Sequence, residues 1–290
     1  MTNHFTSAFR QNMVRAVFAF ILVSFSFRYY NQVMLHQLLQ PVIVKTESDL
    51  AYWLYHLSGV AKLIVQDDLG SLLFDCLLVG LGVSCLLWPS RRFLIVIFSL
   101  LYPLYFISYN AFVTHHTGTM DGILLITLAF WTTKGNTFLL LWEALRYFTL
   151  SIYSLAFFWK VFIGISIFSI SQPMAIVQEN LALYLYHNPG TGVANGIGWF
   201  LQHPVILYVG YTTCIVMQGG MLTGFFTKRY DYLLFLIPFV FHLATYFFVD
   251  VCYFELLILN FTFLRPGTLS KQPWWPRPGR QHLVTSPPTV

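Results

Sequence analysis

The chain has 290 residues, 57% of them hydrophobic, 19% aromatic and only 9% charged, with a formal net charge of +5. Soluble domains carry about 25% charged residues, so this composition excludes a water-soluble globular protein and points to an all-α, polytopic membrane bundle. The positive charge gathers in loops and in the C-terminal tail, which marks topology and not a nucleic-acid-binding face.

A spanning helix needs about 20 mostly apolar residues. Arg10 and Arg15 precede an apolar run, Ala16 to Phe27, that ends at Arg28-Tyr29-Tyr30 without a small-residue cleavage site. It reads as an uncleaved first span over 14–35. Within residues 36–69, the stretch from Asp49 to Leu63 is amphipathic and suits the membrane interface. Spans follow at 70–88, 93–112, 116–133 and 139–165. In the fourth, the clean apolar part from Gly122 to Thr132 covers only about 16 Å at about 1.5 Å per residue. It either re-enters or spans with its polar start buried in protein.

Ser171 and Pro173 mark the cap and first turn of a helix that runs to about His187 and stops at Asn188-Pro189-Gly190. The glycine-rich stretch from there to Gly198 reads as a loop. Spans at 204–226, 231–249 and 251–264 complete a set of eight, the last joined to its neighbour by a tight turn near Asp250. Residues 1–265 thus form one transmembrane domain. Residues 266–290, with Pro266, Pro273, Pro276, Pro278, Pro287 and Pro288, form an extended basic tail. Cys76, Cys85, Cys214 and Cys252 are scattered through apolar segments with no metal or redox spacing.

Basic residues recur at alternate ends: Arg10 and Arg15, Arg91-Arg92, Lys134, Lys228-Arg229 and Arg265. The opposite loops hold Glu47, Asp49, Asp67, Asp68, Asp121 and Glu179. The positive-inside rule then places both termini in the cytoplasm of a bacterial inner membrane or its equivalent.

Six ionisable residues interrupt apolar segments: Arg28, Asp75, Lys160, His242, Asp250 and Glu255. Each costs at least roughly 2.5–3.5 kcal/mol in hydrocarbon, so such residues pair, line a wet cavity or do chemistry. Counting along the spans puts all six within about 10 Å of the non-cytoplasmic surface, with His115, His116 and Asp121 near the same level. That predicts one pocket open to that side, built from the fourth, fifth, seventh and eighth spans. Gln218, Glu143 and Arg146 fall outside this level, and Glu143 and Arg146 are i,i+3 neighbours expected to pair. Taken singly, the groups also fit structural ion pairs, Asp75 with Arg28 or Glu255 with Lys160. Lys160 lies between Trp159 and Val161, where an ammonium is desolvated, so it is a candidate base near neutral pH. His242, in Phe241-His242-Leu243, is a candidate proton shuttle.

Three segments together resemble the HTTM family, the horizontally transferred transmembrane domain shared with vitamin K-dependent gamma-carboxylase. They are Asn110 to Phe130 with His115-His116, Arg146 to Lys160 with Tyr153, Ala156 and Lys160, and Phe241-His242 through Leu264. The similarity spans most of residues 10–265, and order and spacing carry it. The resemblance implies Lys160 as the base that deprotonates a reduced quinone, with His115 or His116 in support. The family's Trp-x-x-Gly after the lysine is replaced here by Gln172-Pro173-Met174-Ala175, and the carboxylase's large lumenal part has no counterpart.

The expected function is therefore base chemistry on a quinone, lipid or exported peptide. Lys160, His115, His116 and His242 are the catalytic candidates, and Asp75, Asp121, Tyr153, Asp250 and Glu255 shape the pocket. The rival reading is a non-catalytic subunit or scaffold of a peptide export, maturation or modification machine, bound to a partner membrane protein. A transporter is disfavoured, because no inverted repeat or matched pair of broken helices occurs.

Overall fold

The computed structural model describes residues 2–38, 50–112, 122–163, 169–249 and 253–265. His115, His116, Asp121, Asp250 and the tail 266–290 lie outside the described residues. The described chain is helical, and no strand occurs among the described residues. In order come α1 (Thr2–Tyr30), a 3-10 turn (Leu35–Gln37), α2 (Leu50–Leu57), a π-helical turn (Lys62–Gln66), α3 (Asp68–Leu87), α4 (Arg92–Phe112) and α5 (Gly122–Ala129). Then follow α6 (Gly135–Phe158) with a π-helical turn (Trp159–Ile163), α7 (Ser171–His187), α8 (Gly192–Gln202), α9 (Pro204–Gly220), α10 (Thr223–Phe226) and α11 (Asp231–Val249). Last are α12 (Phe254–Leu257) and a 3-10 segment (Ile258–Phe263).

Five helical stretches among the described residues are long and apolar enough to cross a membrane: Thr6–Gln37, Asp68–Leu87, Arg92–Tyr109, Pro204–Phe226 and Asp231–Val249. This is fewer than the eight expected. The 8-residue α5 and the 4-residue α12 are each too short to reach across hydrocarbon alone. The 24-residue α6 is long enough, but Glu143 and Arg146 interrupt its apolar character.

The surface, not the core, departs from that of a soluble bundle: large apolar side chains face outward while several charged groups are enclosed. In α3 the buried side chains include Ser71 and Asp75, whereas Leu69, Leu72, Leu73 and Leu77 face outward. In α11, Asp231 and His242 are buried while Leu233, Val240 and Leu243 are exposed. An apolar exterior, with charged and polar groups enclosed within a largely hydrophobic core, suits lipid as the solvent.

The glycine-rich stretch expected as a loop is helical. Thr191 caps α8, its hydroxyl accepting a hydrogen bond from the Ala194 N–H at 3.3 Å. Behind the cap, Ala194 and Ile197 are buried, Ile197 in a cluster with Val177, Leu181 and Leu207, and this apolar packing outweighs the flexibility of the glycines. Thr191→Ala should therefore cost about 1 kcal/mol of stability, read as a lower thermal midpoint in detergent. For α7, Pro173 falls in the first turn as expected, but Ile170, not Ser171, is the capping position.

Two sets of contacts align the helices around the site. Rings of Phe9, Phe130, Phe138 and Trp142 join α1, the turn after α5, and α6. On the other side of α6, Gly219 of α9 lies so close to Phe157 that a Cβ there would meet the ring at 2.8 Å. This close approach sets α6 and α9 in register.

The expected Glu143–Arg146 contact exists at 3.5 Å but is not the main one. The Arg146 Nη2 donates to Asp231 Oδ1 at 2.7 Å and to the Gly224 carbonyl at 2.9 Å. Arg265 also closes on Asp231, its Nε donating to Oδ2 at 2.9 Å. Lys228 pairs with Glu143 at 2.5 Å. These charges tie the middle of α6 and the start of α11 to the end of the last segment.

Candidate functional site

The residues Arg146, Tyr153 and Lys160 recur every seventh position, which keeps them on one stripe of α6 and its π-helical extension. Arg146 meets Asp231 and Tyr153 meets His242, in the same order along both helices, so α6 and α11 run parallel. On α9, Cys214 and Gln218 are four apart and share a face. Three helices thereby deliver Tyr153, Lys160, Gln218 and His242 to one place.

The Lys160 Nζ donates to the Gln218 Oε1 at 2.7 Å and lies 5.3 Å from the centre of the Phe241 ring. The neighbouring Cys214 and His242 are within electrostatic reach of the amine. The Tyr153 hydroxyl and His242 Nε2 are hydrogen-bonded at 3.1 Å, and Tyr253 presents its ring edge-on to the imidazole with centroids 5.6 Å apart. Asn260, from the final 3-10 segment, is fully buried, its Nδ2 donating to the Leu257 carbonyl at 2.9 Å. His242 Nδ1 and the Ser154 hydroxyl are buried with no hydrogen-bond partner among the described residues. Buried polar atoms of that kind are costly, and a ligand or water is the usual occupant.

The other expected charges form a second group. Arg28 and Glu255, 4% and 3% exposed, make an ion pair, and Arg28 also stacks over Tyr109 at 4.1 Å and Tyr105 at 5.4 Å. Asp75 accepts from the His36 backbone N–H at 3.0 Å and contacts His36 Nδ1 at 2.7 Å. So Asp75 does not pair with Arg28, nor Glu255 with Lys160. Depth along a helix does not specify which neighbour a side chain faces: α12 docks against α5 and the 3-10 segment that follows it against α1.

Of the nine predicted site residues, the structure brings Lys160, Tyr153 and His242 together. It places Glu255 and Asp75 in the second group, and His115, His116, Asp121 and Asp250 lie outside the described residues. The expected depth also shifts. Gln218 is fourteen residues beyond Pro204, about 21 Å along α9, so the Lys160 amine reaches well down the bundle.

Sequence reasoning missed two partners, Gln218 and His36. Gln218 was discounted because its depth disagreed with the charged groups. The available signal was a polar amide inside an apolar span, which is itself expensive without a partner.

No protein-family model, no curated protein and no solved structure matches this chain.

Proposed function

We propose that this is a multi-pass membrane protein with both termini in the cytoplasm, and that the Lys160 cluster carries out proton-transfer chemistry on a quinone, lipid or exported peptide admitted from the opposite face. The observation that carries this reading is the partner of Lys160. A half-buried amine in a π-helical turn bonds to the neutral oxygen of Gln218, and among the described residues no carboxylate pairs with it. A cation placed in an apolar span without a counter-charge is expensive, and π turns recur at functional sites. Both features fit an amine kept for chemistry.

The remaining parts fit a proton path. Gln218 orients the amine. Tyr153 fixes one ring nitrogen of His242, and Nδ1, without a partner among the described residues, can give or take a proton. The aromatic rings of Tyr153, Phe241 and Tyr253, with a His242 Nδ1 that no described residue bonds, fit a flat ring bearing oxygen at its edge. A reduced quinone, as the HTTM resemblance implies, would supply an acidic phenolic proton there. Lys160 would accept it, and His242 would pass protons onward. An eight-crossing topology belongs to this reading, with α5 and α12 each completing a crossing together with adjoining residues.

A second reading, a non-catalytic subunit of a membrane machine, draws on the Arg28–Glu255 and Asp75–His36 contacts, which tie helices together.

In cells lacking the protein, Lys160→Ala should fail to restore the lost function, with rates down roughly hundredfold or more. Its membrane level and thermal midpoint should match those of the unaltered chain. Gln218→Leu should lower the rate by less. Full function from a well-folded Lys160→Ala protein would instead support the non-catalytic reading.

A further inference from the structure

A second polar site lies where the N-terminal end of α1 meets the start of α6. A cavity of about 490 Å³ is lined there by Arg10, Lys134 and the hydroxyls of Thr6, Ser7 and Thr133, and among the described residues no carboxylate lines it. The Arg10 guanidinium is held in place by a bond from Nη1 to the Thr132 carbonyl at 2.9 Å, and Arg92 adds positive charge nearby. The first turn of α6, residues 135–137, also lines the cavity, and the capping position, Lys134, makes no side-chain cap. The N–H groups of a first helical turn lack intrahelical acceptors and favour an anion.

Directly along α6 lies a complementary apolar groove. It has a volume of about 450 Å³ and is lined by Leu125 and Leu128 of α5 and by Leu141, Leu145 and Phe148 of α6. It begins at Leu141, three residues or about 4.5 Å beyond Phe138, the last residue lining the basic cavity. Leu128, Leu141 and Phe148 are 37%, 38% and 39% exposed, so the groove opens outward toward the surrounding solvent, here lipid.

We propose that these two features together bind one anionic phospholipid, its phosphate in the basic cavity and an acyl chain in the groove. The charge excess selects the anionic headgroup, and the adjoining groove selects a lipid over a soluble phosphate. The site is separate from the Lys160 cluster, and its assignment to the cytoplasmic leaflet rests on the topology proposed above. It would anchor α1, α5 and α6 at the membrane surface where basic juxtamembrane residues attract anionic lipid.

The test uses the full chain in dodecyl maltoside, titrated separately with dioleoyl-phosphatidylglycerol, dioleoyl-phosphatidylcholine and inorganic phosphate. Retained lipid is read by native mass spectrometry and stability by thermal midpoint. Phosphatidylglycerol should bind at least roughly tenfold tighter than phosphatidylcholine, and R10Q/K134Q should lose that preference. Ala144→Phe, which fills the groove, should weaken phosphatidylglycerol binding with the basic cavity intact. R91Q/R229Q, with the same change in net charge, should keep the preference. If R10Q/K134Q does not fold, the exposed Lys134→Gln change alone should reduce it. Equal affinity for the two lipids, or a preference surviving in R10Q/K134Q or Lys134→Gln, overturns the site. So does an equal loss in R91Q/R229Q, which would mean diffuse attraction. Stabilisation by inorganic phosphate equal to that by phosphatidylglycerol would make it a soluble-anion site and overturn the lipid assignment.

Discussion

Replacing Asp231 with alanine is expected to cost about 3–5 kcal/mol of folding stability. Its carboxylate is 4% exposed and takes hydrogen bonds from Arg146, itself 1% exposed, and from Arg265. Removing it strands one fully buried guanidinium and frees the last segment from the start of α11. Asp231 also supplies the negative charge in the first turn of α11, which favours that helix end. Asp231→Asn keeps one acceptor oxygen and should fall between the two. Glu143→Gln should stay within about 1 kcal/mol, because Glu143 is 33% exposed and its contact with Arg146 is longer. Thermal unfolding in mild detergent, with all three variants side by side, checks the order. An Asp231→Ala protein as stable as Glu143→Gln would mean that the buried triad contributes nothing.

Replacing Glu255 with leucine should be comparably severe, again about 3–5 kcal/mol, because Arg28 would be left charged and enclosed beside Tyr105 and Tyr109. Truncating both partners, Arg28→Met with Glu255→Leu, should recover most of the loss, since an apolar pair of similar volume suits this interior. The pair also sits at a tight junction. A Cβ on Gly122 would overlap the Glu255 carbonyl oxygen, a backbone atom that cannot step aside, so α5 and α12 touch main chain to main chain there. The double variant separates two roles for Glu255. If the pair is a tie between helices, the refolded double variant keeps the Lys160-dependent function. If that function disappears while the midpoint recovers, Glu255 takes part in the chemistry.

These two predictions concern contacts that local sequence rules do not reveal. The i,i+3 rule picks Glu143 for Arg146, yet the stronger partner, Asp231, is 85 residues away. The spans 70–88, 93–112 and 231–249 were readable because long apolar runs ending at charged or helix-breaking residues have few alternatives, and the observed helices differ from them by two residues or fewer at each end. Lys160 and His242 could be singled out because ionisable groups in apolar runs are costly, whereas Tyr153 entered only through the HTTM resemblance. Gln218 could not be ranked by charge. Its selection needs the α6–α9 register, which Gly219 and Phe157 set through contact and not through any local pattern. The helix at Gly192–Gln202 was hidden by glycine content, although Thr191 and the inward residues Ala194 and Ile197 carried the cap and the spacing.

The most direct test is an experimental structure of the full chain in a lipid nanodisc with a short-chain reduced menaquinone analogue added. The proton-transfer account predicts the analogue's ring beside Lys160 and His242, with Gln218 still holding the amine and His242 Nδ1 turned toward the ligand. A carboxylate closed onto Lys160, with the analogue bound elsewhere or not at all, would contradict it.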